Sequence, residues 1–304
     1  MERLRTPDSY FADLDGFAIA PHYLEVTDPD GGAPLRMHYL DEGPRDAKEI
    51  LWLQHGEPSW SYLFRKMIPV LVAQGYRVIC PDLIGLGRSD KPTSLHDYSY
   101  ARHVEWLREA LFDVLDLDGL TLMAQDWGSL LGLRVATENP ERMARIALGN
   151  GGLPTGLGKF QPAFEAWKEF SQTTPELPIA QIIQGGCAET LSAAELAAYQ
   201  APFPDESYKT AARVFPTLVP CSPEDPAHEA QMRAWDVLRT WTKPFFLCFS
   251  DQDPISAGAD RKFLRDVPGT QGVEHVTILG AGHFLQDDRG VELAQALIRF
   301  IEAN

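Results

Sequence analysis

Leu120-Thr-Leu-Met-Ala-Gln-Asp-Trp-Gly-Ser-Leu-Leu-Gly132 is the stretch whose reading decides the fold. Residues 120–125 form an apolar run of strand length, and residues 129–138 have the spacing of a helix. Between them, Ala124-Gln-Asp-Trp-Gly128 is a tight turn with a small residue two places before and two places after Asp126. A sharp strand-to-helix turn needs such flanks because strand and helix approach closely. The turn also lifts its central side chain above the sheet edge, toward the helix N-terminus. A hydroxyl at that point would need a base before it could attack. A carboxylate is already an anion at neutral pH and can displace a leaving group from saturated carbon, leaving an ester of the protein. Read alone, Asp126 would serve equally well as the N-cap of the following helix, so the rest of the chain has to decide.

Outward from this turn, short apolar runs alternate with helical patterns. Strands are expected at 50–54, 77–81, 120–125, 146–150, 244–249 and 276–279, and helices at 62–74, 100–115, 129–138 and 291–303. That alternation predicts a mostly parallel sheet flanked by helices. Two further strands at 23–27 and 35–39 are expected to run antiparallel at the N-terminus. The rhythm breaks between about Gly152 and Ala230. That stretch, rich in Pro and aromatic residues, offers helices at 162–173, 193–199 and 206–218 but no strand. A helical insertion between two core strands is expected, giving a core of 1–151 and 231–304 and an inserted domain of 152–230.

Three loops supply partners for Asp126. After the strand at 50–54 comes His55-Gly-Glu-Pro58. An early His-Gly of this kind resembles the α/β-hydrolase loop that offers a backbone N–H to an oxyanion. By position, the donors would be the N–H groups of Glu57 and Trp127, with His55 stabilising the turn. Late in the chain, Ala281-Gly-His-Phe284 follows the last strand, where a catalytic histidine is expected at His283. Between them lies Phe249-Ser-Asp-Gln-Asp-Pro254. An acid there would hold the imidazole and stabilise its charged form. Asp251 and Asp253 compete for the role; Asp253 is chosen, and Asp251 is read as a turn residue. At 149–152, where some relatives carry this acid, the chain has Gly-Asn-Gly-Gly and no carboxylate.

Composition excludes several other classes. The 304 residues are 44% hydrophobic and 23% charged, as expected for a globular protein with a large core. A net charge of −16 repels phosphate backbones and anionic lipid, so neither nucleic acid nor a membrane surface is an expected partner. No apolar stretch is long enough to span a bilayer. The N-terminal residues carry both charge signs without the apolar core of a signal peptide, so a cytoplasmic monomer is expected. Cys80, Cys187, Cys221 and Cys248 form no close pair and are read as free thiols. No metal-ligand cluster is evident, and the chemistry calls for no metal or organic cofactor. Gly85-Leu-Gly-Arg-Ser89 lacks the Gly-Lys-Ser/Thr ending of a phosphate loop and reads as a structural turn.

Together these residues resemble the haloalkane dehalogenases, subfamily I, of the α/β-hydrolase superfamily. The matching stretches run over most of the chain: His55-Gly-Glu-Pro-Ser-Trp-Ser-Tyr62, Pro81-Asp-Leu-Ile-Gly-Leu-Gly-Arg-Ser-Asp-Lys-Pro92, Gln125-Asp-Trp-Gly128 and Ala281-Gly-His-Phe284. In the insertion, Phe164-Glu-Ala-Trp-Lys168 and Ala201-Pro-Phe-Pro-Asp-Glu-Ser-Tyr208 look like that subfamily's helical cap. The resemblance implies an α/β-hydrolase fold with Asp126 as nucleophile, Asp253 as acid and His283 as base. It also implies halide binding by the indole N–H groups of Trp127 and Trp167. Indole suits that task, being a donor with no lone pair to repel an anion. The expected substrates are a small halogenated alkane and water, the products alcohol and halide. An epoxide hydrolase of the same superfamily is the nearest rival and would need cap tyrosines, for which Tyr199 and Tyr208 are available. A fluoroacetate dehalogenase would want an Arg close after the nucleophile, where Trp127 and Gly128 stand. A non-catalytic binding protein of this fold would have no use for a full Asp–Asp–His set.

Overall fold

The computed structural model describes residues 1–12, 14 and 16–304. Its centre is an eight-stranded sheet. In chain order the strands are β1 (His22–Val26), β2 (Leu35–Glu42), β3 (Ile50–Gln54), β4 (Arg77–Pro81), β5 (Leu120–Asp126), β6 (Met143–Gly151), β7 (Phe245–Ser250) and β8 (Val276–Ile278). Across the sheet they lie in the order β1-β2-β4-β3-β5-β6-β7-β8. From β4 to β8 every pairing is parallel, while β1–β2 and β2–β4 are antiparallel, as expected for the N-terminal pair.

Strand periodicity divides the apolar residues between two cores, one on each face. Trp52, Leu122, Leu148 and Leu247 point to one face; Leu51, Leu53, Met123, Ala147 and Phe246 point to the other. The first core is closed by α2 (Tyr100–Arg108) and α3 (Trp127–Glu138). The second is closed by α1 (Ile68–Ala73) and the C-terminal helix Leu285–Ala303.

Between β6 and β7 the described residues form helices and no strand. They are α4 (Pro162–Thr173), α5 (Ile179–Gly186), α6 (Ala193–Gln200), α7 (Thr210–Leu218) and α8 (His228–Leu238). α9 (Asp260–Asp266) follows β7, and the C-terminal helix is α10. α5, α8 and α9 went unpredicted. In α8 the buried stripe is Gln231, Ala234, Trp235 and Leu238, so a polar and a small residue dilute the apolar period. The helix expected at 62–74 is two pieces, a 3-10 turn at Ser61–Phe64 and then α1. Pro69 has no N–H for a continuous ladder and clashes with the turn before it, so it belongs in a first turn.

The elbow depends on a backbone contact that only glycine permits. A Cβ on Gly128 would stand 2.1 Å from the carbonyl oxygen of Gln54 on β3. The oxygen belongs to main chain and the Cβ would be fixed directly to it, so neither can yield. Gly128→Ala is therefore expected to lower unfolding stability by about 3 kcal/mol, the upper part of the usual overpacking range. Denaturant unfolding of the purified variant measures this, and a loss under about 0.5 kcal/mol, typical of a neutral surface change, would contradict it.

Candidate active site

Asp126 occupies the tip of the strand–turn–helix with φ 53° and ψ −133°. It is the N-cap of α3 by position, yet its side chain makes no capping bond. The carboxylate turns the other way. Oδ1 accepts the Glu57 backbone N–H at 2.8 Å, and Oδ2 lies 3.3 Å from His283 Nε2. The capping alternative is thereby set aside. Ser129 fastens the turn: its hydroxyl donates to the Asp126 carbonyl at 2.5 Å and accepts the Gly152 N–H at 2.8 Å. Trp127 is the first residue of α3, so its N–H has no partner within the helix. Glu57 and Trp127 thus each have a main-chain N–H outside any helix or strand ladder, that of Glu57 bonded to the Asp126 carboxylate and that of Trp127 in the peptide that follows Asp126. His55 behaves as a turn residue. Its Nδ1 is 2.8 Å from the Gly56 carbonyl, and its Nε2 accepts the Leu83 N–H at 3.0 Å.

The loop after β8 carries His283, and the loop after β7 carries Asp253. His283 Nδ1 is 3.1 Å from Asp253 Oδ2, though off the ideal hydrogen-bond line. Asp253 is nearly fully buried, and its carboxylate also accepts the N–H groups of Ile255 at 2.9 Å and Ser256 at 3.2 Å, and the Ser256 hydroxyl. Burial favours its neutral form, but the charge of His283 and these donors win and hold it down at about 2. His283 is the mirror case. Burial pulls it down, while the charges of Asp253 and Asp126 lift it to about 10. Asp251 lies on the far side of the turn, accepting the Gly280 N–H at 2.8 Å and the Ala281 N–H at 3.3 Å.

Three polar residues that the sequence reading passed over hold the histidine loop. Gln125 Nε2 donates to the His283 carbonyl at 3.1 Å and sits 3.0 Å from His283 Nε2. Asn150, at φ 34°, sends Nδ2 to the carbonyls of Gly282 (2.8 Å) and His283 (3.0 Å). Asp288 accepts the Gly282 N–H at 2.8 Å, and the Ala188 and Glu189 N–H groups at 2.9 Å each. Gln125 could have been found as the neighbour of Asp126, and Asn150 as a polar residue at a strand end. For Asp288 no local signal exists.

Asp126 and His283 open on a cavity of about 720 Å³. Trp127, Leu130, Leu153, Phe164 and Trp167 are among its walls. Trp127 is wedged between Tyr100 and Phe215, with ring centroids 5.3 and 4.8 Å away. Trp167, on α4, is partly buried, and its indole is close enough to the Glu57 carboxyl to favour the charged form slightly. Burial and the nearby Asp126 charge push that carboxyl well above the usual carboxylate range. Among the described residues no tyrosine lines this cavity. Tyr199 is fully buried and bonded to Asp287, and Tyr208 is partly buried and packs against the apolar core.

Residues 49–290 match the family model for the alpha/beta hydrolase fold. The chain is similar to a haloalkane dehalogenase of Psychrobacter cryohalolentis, at 54% identity over 100% of this chain and 99% of the relative. It is similar to another from Mycobacterium marinum, at 50% identity over 98% of this chain and 99% of the relative. Among solved structures, the tetrameric haloalkane dehalogenase of Paraglaciecola agarilytica superposes with a TM-score of 0.89 at 36% identity, covering 99% of each chain.

The charge coupling at His283 predicts a pH signature. Its folded pKa is raised from 6.5 to about 10, so the stabilisation it brings is complete below pH 6.5 and is lost as pH rises toward 10. The difference in melting temperature between the wild type and His283→Gln is therefore expected to be widest below pH 6.5 and to close by pH 10. Melting curves that run parallel over that window would show that no such coupling exists.

Proposed function

Because the chain belongs to the haloalkane dehalogenases of the α/β-hydrolase fold, and so hydrolyses a carbon–halogen bond to give alcohol and halide, we propose that it does this with Asp126, His283 and Asp253. The observation that carries the proposal is the Asp126 carboxylate, held clear of its helix, facing a largely apolar cavity and 3.3 Å from His283 Nε2. In the first step Asp126 attacks the carbon bearing the halogen. The carbon–halogen bond breaks as the ester bond forms, and the electron pair leaves with the halide. We assign the halide to the indole N–H groups of Trp127 and Trp167, both in the cavity wall. In the second step His283 takes a proton from water, which attacks the ester carbonyl. The backbone N–H groups of Glu57 and Trp127 receive the oxyanion. Collapse expels the alkoxide, which takes the proton from His283 and leaves as alcohol, and the carboxyl group left on Asp126 gives up its own proton to become the carboxylate again.

The charges supply a timing argument. Part of what raises His283 is the anionic charge of Asp126. Alkylation turns that anion into a neutral ester. That contribution then vanishes, so the imidazole holds a proton less tightly once there is an ester to hydrolyse, while the larger contribution of Asp253 remains. Asp253 remains to hold the imidazolium that forms. The absence of tyrosine from the cavity wall, among the described residues, removes the acid an epoxide hydrolase would need.

We further take residues 152–230 as the cap over a core of 1–151 and 231–304. We also take the enzyme as a cytoplasmic monomer, consistent with like-charge repulsion at a net −16. Among the described residues no helix is long and apolar enough to cross a membrane.

His283→Gln should release about one equivalent of bromide from 1-bromobutane and then stall, as covalent catalysis with a blocked second half requires. Intact-mass spectrometry should show one added butyl group, mapped to Asp126. A folded variant with neither burst nor adduct would refute the covalent route. Trp167→Phe keeps the bulk and removes the donor. It should cut chloroalkane turnover about tenfold or more, the scale of a lost hydrogen bond to a charged group. Unchanged chloroalkane kinetics would remove Trp167 from the halide site.

A further inference from the structure

The cavity extends well beyond the space a short haloalkane would fill. A volume of about 720 Å³ is in the range of pockets that hold drug-sized molecules, on the order of 300–1,000 Å³. Away from Asp126 it runs between two facing segments, 155–161 and 254–259, which touch where Gln161 Nε2 donates to the Ala257 carbonyl at 3.3 Å. The wall there includes Trp235 and Phe263, with ring centroids 5.1 Å apart. Trp235 is fixed by its indole N–H, which donates to the Leu153 carbonyl at 2.8 Å.

Against that wall stands Lys262. Its Nζ lies 3.6 Å from the Trp235 ring centroid, and its side chain is half-buried. Among the described residues it has no ion pair and no hydrogen bond. The carboxylate that acts on it, Asp266, is ion-paired with Arg265 at 2.7 Å. Burial pulls the Lys262 pKa below the ordinary lysine value, and Arg239 and Arg265 add to that effect. The aromatic face offsets only part of the cost of withdrawing a cation from water. Among the described residues, apart from Asp126, His283 and Glu57, the charged residues lining the cavity are Lys262 and the exposed Lys159, both positive, in a chain whose net charge is −16. The field of the whole protein repels anions; this one chamber contains the charge to receive one.

We propose that Lys262 binds a carboxylate at the far end of the substrate, so that the enzyme takes ω-haloalkanoates as well as neutral haloalkanes. The halogenated carbon would lie at Asp126 while the methylene chain follows the apolar walls to the ammonium. The proposal rests on the assignment of Asp126 as nucleophile at this cavity. It adds no new chemistry, because displacement at the ω carbon is the same reaction.

The test compares bromide release from 6-bromohexanoate and 1-bromohexane, read as the ratio of their kcat/KM values. In the wild type the carboxylate substrate should be turned over at least as well as the neutral one, despite the acidic surface. Lys262→Met keeps the apolar stem and should lower the ratio about tenfold, the scale of a charge-assisted contact. Lys262→Arg keeps the cation and should restore most of the ratio, which a purely structural role for the stem would not require. A ratio unchanged by Lys262→Met, or a wild type that releases bromide from 1-bromohexane alone, would overturn this proposal and leave the assignment of Asp126 standing. Release from neither substrate would overturn that assignment, and this proposal with it.

Discussion

A single negative charge, held where the backbone resists being, governs this site. Asp126 has φ 53°, a region that costs a non-glycine residue of order 1–3 kcal/mol. The cost is met by contacts that leave the turn no alternative. Gly128 lies against the Gln54 carbonyl, Gly151 against the Ser129 hydroxyl, and Ser129 bonds both the turn and the end of β6. Fixed there, the carboxylate raises the proton affinity of two neighbours, His283 and Glu57. A charge that does both cannot be removed without altering both. Ester formation is such a removal, so in the proposed reaction the product of the first step is also the switch for the second.

Much of this was legible in the sequence because the features that made it so are local. Strand β3 reads plainly, since Leu51, Trp52 and Leu53 are buried on alternate faces and no polar residue interrupts them. The elbow reads from spacing, because the close approach that demands Gly128 lies within the same few residues as Asp126. Asp253 and Asp251 could be ranked but not resolved; the bonds from Gly280 and Ala281 that occupy Asp251 come from a loop nearly thirty residues downstream. Gln125 and Asn150 act on main-chain atoms of a distant loop, and Asp288 on the main chain of that loop just upstream and of the segment beyond α5. Main-chain atoms carry no sequence signal, so the partners of these side chains could not be inferred. The helices α5 and α8 were hidden for a different reason: α5 ends in Gly185-Gly186, and the buried face of α8 includes Gln231.

The acid Asp288 shows how the base and the roof of the cavity are joined. One carboxylate takes an N–H from Gly282, beside His283, and two from Ala188 and Glu189, beyond α5. Its neighbour Asp287 is bonded to Tyr199 on α6 and, at 2.5 Å, to Arg65, which also reaches Glu195 of α6 at 2.5 Å. The packing is as tight as the bonding: a Cβ on Gly282 would meet the Gly186 carbonyl at 2.4 Å. Buried charges are costly unless paired and well hydrogen-bonded, and here they are both. An apolar seam between α6 and the start of α10 could slide. Directional bonds to three separate segments cannot. The end of α5, which lines the cavity, and the loop that carries His283 are therefore held as one body with α6, which fixes the imidazole against Asp126, as the proposed reaction requires of its base.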